Sequence, residues 1–196
     1  NLNDLGVKAK LDLLLLLCVV MMVGLQTMQV VNEREGMLAE RKKELVHHVE
    51  NAVALIRHFH AQSPALGEAG AREAALQGVA SLRYDQDKGY FWINDLDHVM
   101  VLHPIKPDLQ GVNLRESKDA AGLPLFQRFV EIVKTRGEGF VDYQWSVPGR
   151  DEPVPKTSFV KGFEPWGWVV GTGVYVDDID ALMMGRIWRI GGFSLA

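Results

Sequence analysis

Apolar and polar positions change period several times along the chain, and each period predicts a different element. From Leu13 to Leu25 no residue is charged, and a sparser apolar tail continues through Met28, Val30 and Val31. A helix from Leu11 to Val31 would be about 30 Å long at 1.5 Å per residue, enough to cross the hydrocarbon core of a bilayer. From Asn32 the composition turns charged, and Leu45, Val49, Ala52, Ile56 and Phe59 follow at steps of four, three, four and three. This heptad-like stripe predicts a continuing helical rod that, with no proline before Pro64, ends near Ser63. The stripe suits a seam between two copies or a face that packs on a sheet.

Period two takes over at Gly89. Tyr90, Trp92 and Asn94 alternate with Phe91 and Ile93, then Val99, Val101 and His103 alternate with Met100 and Leu102, a β-hairpin pattern turning at Asn94 to Asp97. Tyr90 and Trp92 share one face of the first strand and Phe91 and Ile93 the other, so both faces are expected to be covered. Ala75, Leu76, Val79 and Leu82 place a helix before the hairpin, and an irregular loop rich in Pro, Gly, Asn and Asp follows His103-Pro104. Leu125, Phe126, Phe129, Val130 and Val133 make one helical stripe that starts after Pro124 and stops at Gly137. Three further strands are predicted at Phe140 to Val147, Lys156 to Lys161 and Trp166 to Val176. Antiparallel hairpins flanked by helices define an α+β class, an open antiparallel sheet with helices on one face. Asp177 is expected to cap a last helix carrying Ile179, Leu182, Met183, Ile187 and Ile190. The uncharged residues after Arg189 resemble the opening of a second membrane span.

Charge and composition narrow the function. A formal net charge of -4 gives no electrostatic case for nucleic acid, and the single Cys18 supports neither a disulfide framework nor a thiolate metal cluster. His47, His48, His58 and His60 ride on the long helix, but adjacent helical residues point about 100° apart, so no metal or cofactor is expected. No GxSxG, HExxH, P-loop or paired-carboxylate pattern is present, and a non-enzymatic binding function is expected. Lys8 and Lys10 before the apolar run would stay cytoplasmic, placing the rest of the chain outside the cytoplasm. A cleaved signal peptide is the rival reading of that run, although no A-x-A-like site follows it. A chain that starts with Asn1 and ends on Gly-Gly-Phe-Ser-Leu-Ala reads as part of a longer polypeptide.

The segments GYFWIND, the strand ending in His103-Pro104, GEGFVDYQW and PVPKTSFVKGFEPWGWVVGTGVYVDDI occur in this order between two apolar helices. In this the chain resembles the extracytoplasmic single Cache domains (sCache_2 type, PAS-like) of bacterial methyl-accepting chemotaxis proteins and sensor kinases. The resemblance implies a five- to six-stranded antiparallel sheet that binds small carboxylates on one face. It also implies an inner-membrane receptor that signals for chemotaxis through two membrane helices, as a homodimer. Residues 1–31 would then be the cytoplasmic tip and first span, 32–186 the periplasmic sensor, and 187–196 the start of the second span. A sensor kinase is the alternative whole, and a secreted carboxylate-binding module a further one.

Within this frame the candidate ligand-binding residues are Tyr84, Tyr90, Trp92, His103, Tyr143 and Lys156. A strand lysine ordinarily reaches solvent. Alternation nevertheless sends Lys156 and Lys161 to opposite faces, leaving Lys156 as the anion candidate beside His103 and the phenols. The aromatic residues, Trp145 included, suit a core as well as a pocket. Arg83 would be a second cation, and admit a dicarboxylate, if it turned inward. Gly171-Thr172-Gly173 is expected to let a neighbouring group approach the strand backbone.

Overall fold

The computed structural model describes residues 6–149, 152–176 and 185. They fall into two units, one within residues 1–39 and 179–196 and the other within residues 40–178. In the first unit, the N-terminal part of helix α1 (Val7–Ala61) carries an unburied window long and apolar enough to cross a membrane. Leu14, Leu15 and Leu25 all stand exposed there. Hydrocarbon would cover such a surface at no cost, whereas water would not.

The second unit is built on one antiparallel sheet of five strands, β1 (Phe91–Asp95), β2 (Met100–Leu102), β3 (Glu138–Ser146), β4 (Pro153–Phe163) and β5 (Trp168–Tyr175). Their spatial order is β2-β1-β5-β4-β3, so β5, last in sequence, inserts between β1 and β4 and is buried along its whole length. The remaining helices are α2 (Ser63–Ser81), broken at Gly67, and α3 (Leu125–Arg136), closed by Gly137 at φ 79°. The predicted helix after Asp177 and the second apolar segment lie outside the described residues.

Both faces of the sheet carry apolar side chains, and each is covered. Phe91, Ile93, Phe159 and Val170 pack with Leu45, Val49, Ala52 and Ile56 of α1 and with Ala71, Ala75 and Val79 of α2. Trp92, Val141, Val160 and Val169 pack instead with Leu125, Phe126 and Phe129 of α3. The expectation of helices on one face is therefore corrected, because alternation puts large apolar residues on both sides of β1, β4 and β5. The heptad-like stripe is likewise resolved. Leu45, Val49, Ala52 and Ile56 are fully buried within the chain, so they serve as a packing face and not as a seam between copies.

One further detail differs from the sequence pattern. Trp166 does not begin a strand but ends a 3-10 turn, Glu164–Trp166, and Gly167 follows in the left-handed region at φ 65°. Proline in the first turn favours that conformation, and only glycine adopts the next one without strain. The β1–β2 turn is fixed by the Asp95 carboxylate, which accepts hydrogen bonds from the Asp97 and Val99 amides at 2.9 and 2.8 Å.

Candidate ligand-binding site

Pairing between β3, β4 and β5 lines up Tyr143, Lys156 and Tyr175 in one cross-strand row. The next row on the same face is Val141, Ser158 and Gly173. A Cβ on Gly173 would collide with Ser158 Oγ and stand 2.9 Å from Lys156 Cε. Glycine there leaves room for the lysine to lie along the sheet, as the predicted close approach required. Gly171 acts similarly, since the Trp92 indole occupies the place its Cβ would fill.

Lys156 is 1 % exposed, and its ammonium donates to the Tyr90 hydroxyl at 3.1 Å and the Tyr175 hydroxyl at 3.5 Å. It lies 4.3 and 4.7 Å from the centroids of those two rings. Among the described residues no carboxylate lies within 4.0 Å of it. Burial first, and the Lys106 charge second, bring its pKa down to about 7. Cation–π contact and phenol acceptors soften that burial without supplying a counter-charge.

His103 follows β2, its ring 5.2 Å from that of Tyr90. Its Nδ1 accepts the Lys106 backbone N–H at 3.0 Å, so the neutral ring carries its proton on Nε2 and can donate from there. Burial above all, with the charges of Lys156 and Lys106, lowers its pKa to about 3. The Trp92 indole N–H is buried and has no acceptor among the described residues. Tyr143 exchanges a hydrogen bond of 2.9 Å with Ser158, and burial pushes the Tyr90 and Tyr143 phenols upward, so both stay protonated.

Tyr90, Trp92, His103 and Tyr143 line a cavity of about 10 Å³, room for about one water molecule, whose other wall is Leu125, Phe126 and Phe129 of α3. That is far below the range of drug-sized pockets, roughly 300 to 1,000 Å³, so a ligand larger than water has to part these side chains. The sheet side offers hydrogen-bond donors and the α3 side only hydrocarbon, and the Lys156 nitrogen lies 4.3 and 5.9 Å from the ring centroids of Tyr90 and Trp92. The chemistry of this lining suits a small anion with a short apolar tail.

Five of the six predicted residues thus meet on the α3 face of the sheet. Tyr84 does not, which corrects its assignment. Its hydroxyl pairs with Thr172 Oγ1 at 2.6 Å, its ring stacks on His48 of α1 at 4.1 Å, and it belongs to the opposite core. Arg83 also stays out, since its guanidinium donates to the carbonyls of Ala80 and Leu82 at the end of α2. The sequence reading missed Tyr175, the α3 wall and Lys106, which lies 4.9 Å from the Trp145 ring centroid. Parity along WGWVVGTGVYV was the available signal for Tyr175, which lies two positions beyond Gly173.

A family model described as Cache domain, dCache_2, matches residues 21–186. The chain belongs to the Cache domain family. Its relatives include the methyl-accepting chemotaxis protein McpP of Pseudomonas putida, 38 % identical over 92 % of this chain and 34 % of McpP. Another is the sensor histidine kinase MctS of Rhizobium johnstonii, 31 % identical over 75 % of this chain and 31 % of MctS. This Cache chain therefore spans about a third of the length of those relatives. Among solved structures it is similar to a periplasmic sensor domain of a chemotaxis protein, with TM-score 0.70 and 48 % identity over 71 % of this chain and 98 % of the other. A Cache chemosensory domain described for carboxylic acid recognition gives TM-score 0.69 and 40 % identity, covering 72 % and 97 %.

Proposed function

We propose that this Cache domain is the ligand-binding part of a bacterial chemoreceptor and binds a small monocarboxylate of acetate, propionate, pyruvate or lactate size. The observation that carries the reading is Lys156, a buried amine whose described partners are phenols and not a carboxylate. An isolated buried charge is costly, and a ligand carboxylate is the counter-ion that would offset it. Tyr90, Trp92, His103 and Tyr143 supply further donors, and the α3 wall receives the methyl or alkyl end. Lys156 is buried and Lys106 is not, and one buried amine matches one carboxylate, which separates monocarboxylates from dicarboxylates. The carboxylic acid described for a similar Cache domain agrees with this. The chain acts by binding, not by catalysis, and its apolar helix anchors the sensor in the inner membrane with the sheet on the periplasmic side. The similarity to MctS favours a second output, a kinase in place of a methyl-accepting domain, with the same sensor chemistry.

Calorimetric titration of the chain in detergent micelles with propionate, succinate and alanine tests the ligand class. Propionate is expected to bind and the other two to bind at least tenfold more weakly. Tight alanine or succinate binding with none of propionate contradicts the assignment.

A further inference from the structure

Among the described residues, the ionisable groups that face Lys156 are neutral or positive. Tyr90 comes from the start of the hairpin, Tyr143 and Tyr175 from the flanking strands, and His103 and Lys106 from the segment after β2. The side chains that α3 sends into the cavity are apolar. Nothing among them holds a proton on the lysine. The Tyr90 hydroxyl at 3.1 Å serves either form of the amine, because a hydroxyl accepts from an ammonium and donates to a neutral nitrogen, while Tyr175, whose own proton goes to the Ser146 carbonyl at 2.8 Å, accepts an N–H from either form. These surroundings are therefore compatible with an uncharged Lys156, and burial favours it.

We infer, resting on the carboxylate reading above, that the domain takes up one proton with each carboxylate it binds and so responds to the undissociated acid. A carboxylate and a proton enter, the proton joins the Lys156 nitrogen, and an ammonium–carboxylate pair results. No other described group in the pocket can accept that proton as readily. The Nδ1 lone pair of His103 is engaged by the Lys106 amide, and the phenols of Tyr90 and Tyr143 are already protonated. The carboxylate in turn raises the lysine's proton affinity, as any adjacent opposite charge does. The species sensed is then the neutral acid, the form that crosses lipid, and acidity and acid concentration are read as one product.

The test is titration calorimetry of the full 196-residue chain in detergent micelles with sodium propionate. Two buffers of different ionisation heat at about pH 8.5, followed by a series down to about pH 6, give proton uptake and affinity together. Uptake of about one proton per propionate at the high pH is expected, with affinity falling about tenfold per pH unit above 7 and level below it. Binding at pH 8.5 without uptake overturns the inference while leaving the carboxylate reading intact. No binding of propionate, acetate, pyruvate or lactate even at pH 6 overturns the carboxylate reading itself. Lys156→Arg, which keeps its charge, is expected to bind without uptake or pH slope. A binding Lys156→Arg variant with the wild-type slope puts the proton elsewhere and also overturns the assignment.

Discussion

Lys156 sits where a lysine is least at home, at the centre of a sheet between two phenols. Its folded pKa of about 7 lies below the value of about 10.4 for an unfolded lysine. Between those two values the unfolded chain binds more protons than the native one, so this group's contribution to stability rises with pH across that window and is least below pH 7. The slope is up to about 1.4 kcal/mol per pH unit. Chemical denaturation of wild type and Lys156→Met without ligand is expected to show their stabilities converging from about pH 7 to 10. Tyr84 makes the opposite case, a residue that is structural because it faces the α1 core. Tyr84→Phe breaks the 2.6 Å bond to Thr172 and is expected to cost about 1 kcal/mol of stability while propionate affinity stays within twofold. Sequence alone could not separate these two. Lys156 lies inside a strand whose alternation gives its face, and Lys161 indeed turns the other way, to Glu138 and Glu50. Tyr84 lies in an isolated bridge to Gly89, where no period assigns a face.

Among the elements, α3 sets the ligand's size. Leu125, Phe126 and Phe129 close the apolar end of the cavity, and the Phe129 ring stands 5.2 Å from Trp92 and 5.6 Å from Tyr143. Phe129→Ala is expected to shift preference from propionate toward butyrate or valerate, measured as a ratio of dissociation constants, and to lower stability by about 3 to 5 kcal/mol. Should the ratio stay fixed, α3 is only a lid. The helix itself was legible from its 3-4 spacing, its preceding Pro124 and its closing Gly137. Which side of the sheet it covers was not, because that depends on β5 inserting between β1 and β4, a long-range pairing that local pattern does not carry. The same limit left the α1 stripe open between a seam and a packing face until the sheet was seen to bury it.

At the scale of the molecule, both sheet faces are used for different purposes. One binds α1, the helix whose N-terminal part carries the apolar window, and the other holds the cavity under α3. Thr172 joins them, accepting from the Tyr84 hydroxyl on the α1 side and donating to the Tyr90 carbonyl at 2.6 Å beside the pocket. The order of elements and the Cache resemblance were readable from the chain because its hairpin, His-Pro strand end and last meander keep strict periods. The buried lysine, with no carboxylate beside it among the described residues, was not, since sequence gives no depth. Comparing Lys156→Met with wild type tests that central feature most directly. Without ligand the variant is expected to be more stable by about 1 kcal/mol or more near neutral pH, because a buried amine is replaced by an apolar chain of similar length. Its affinity for propionate is expected to fall about ten- to a hundredfold, the loss of a hydrogen bond to a charged group. A variant that binds propionate as tightly as wild type, or that loses stability together with affinity, contradicts the account.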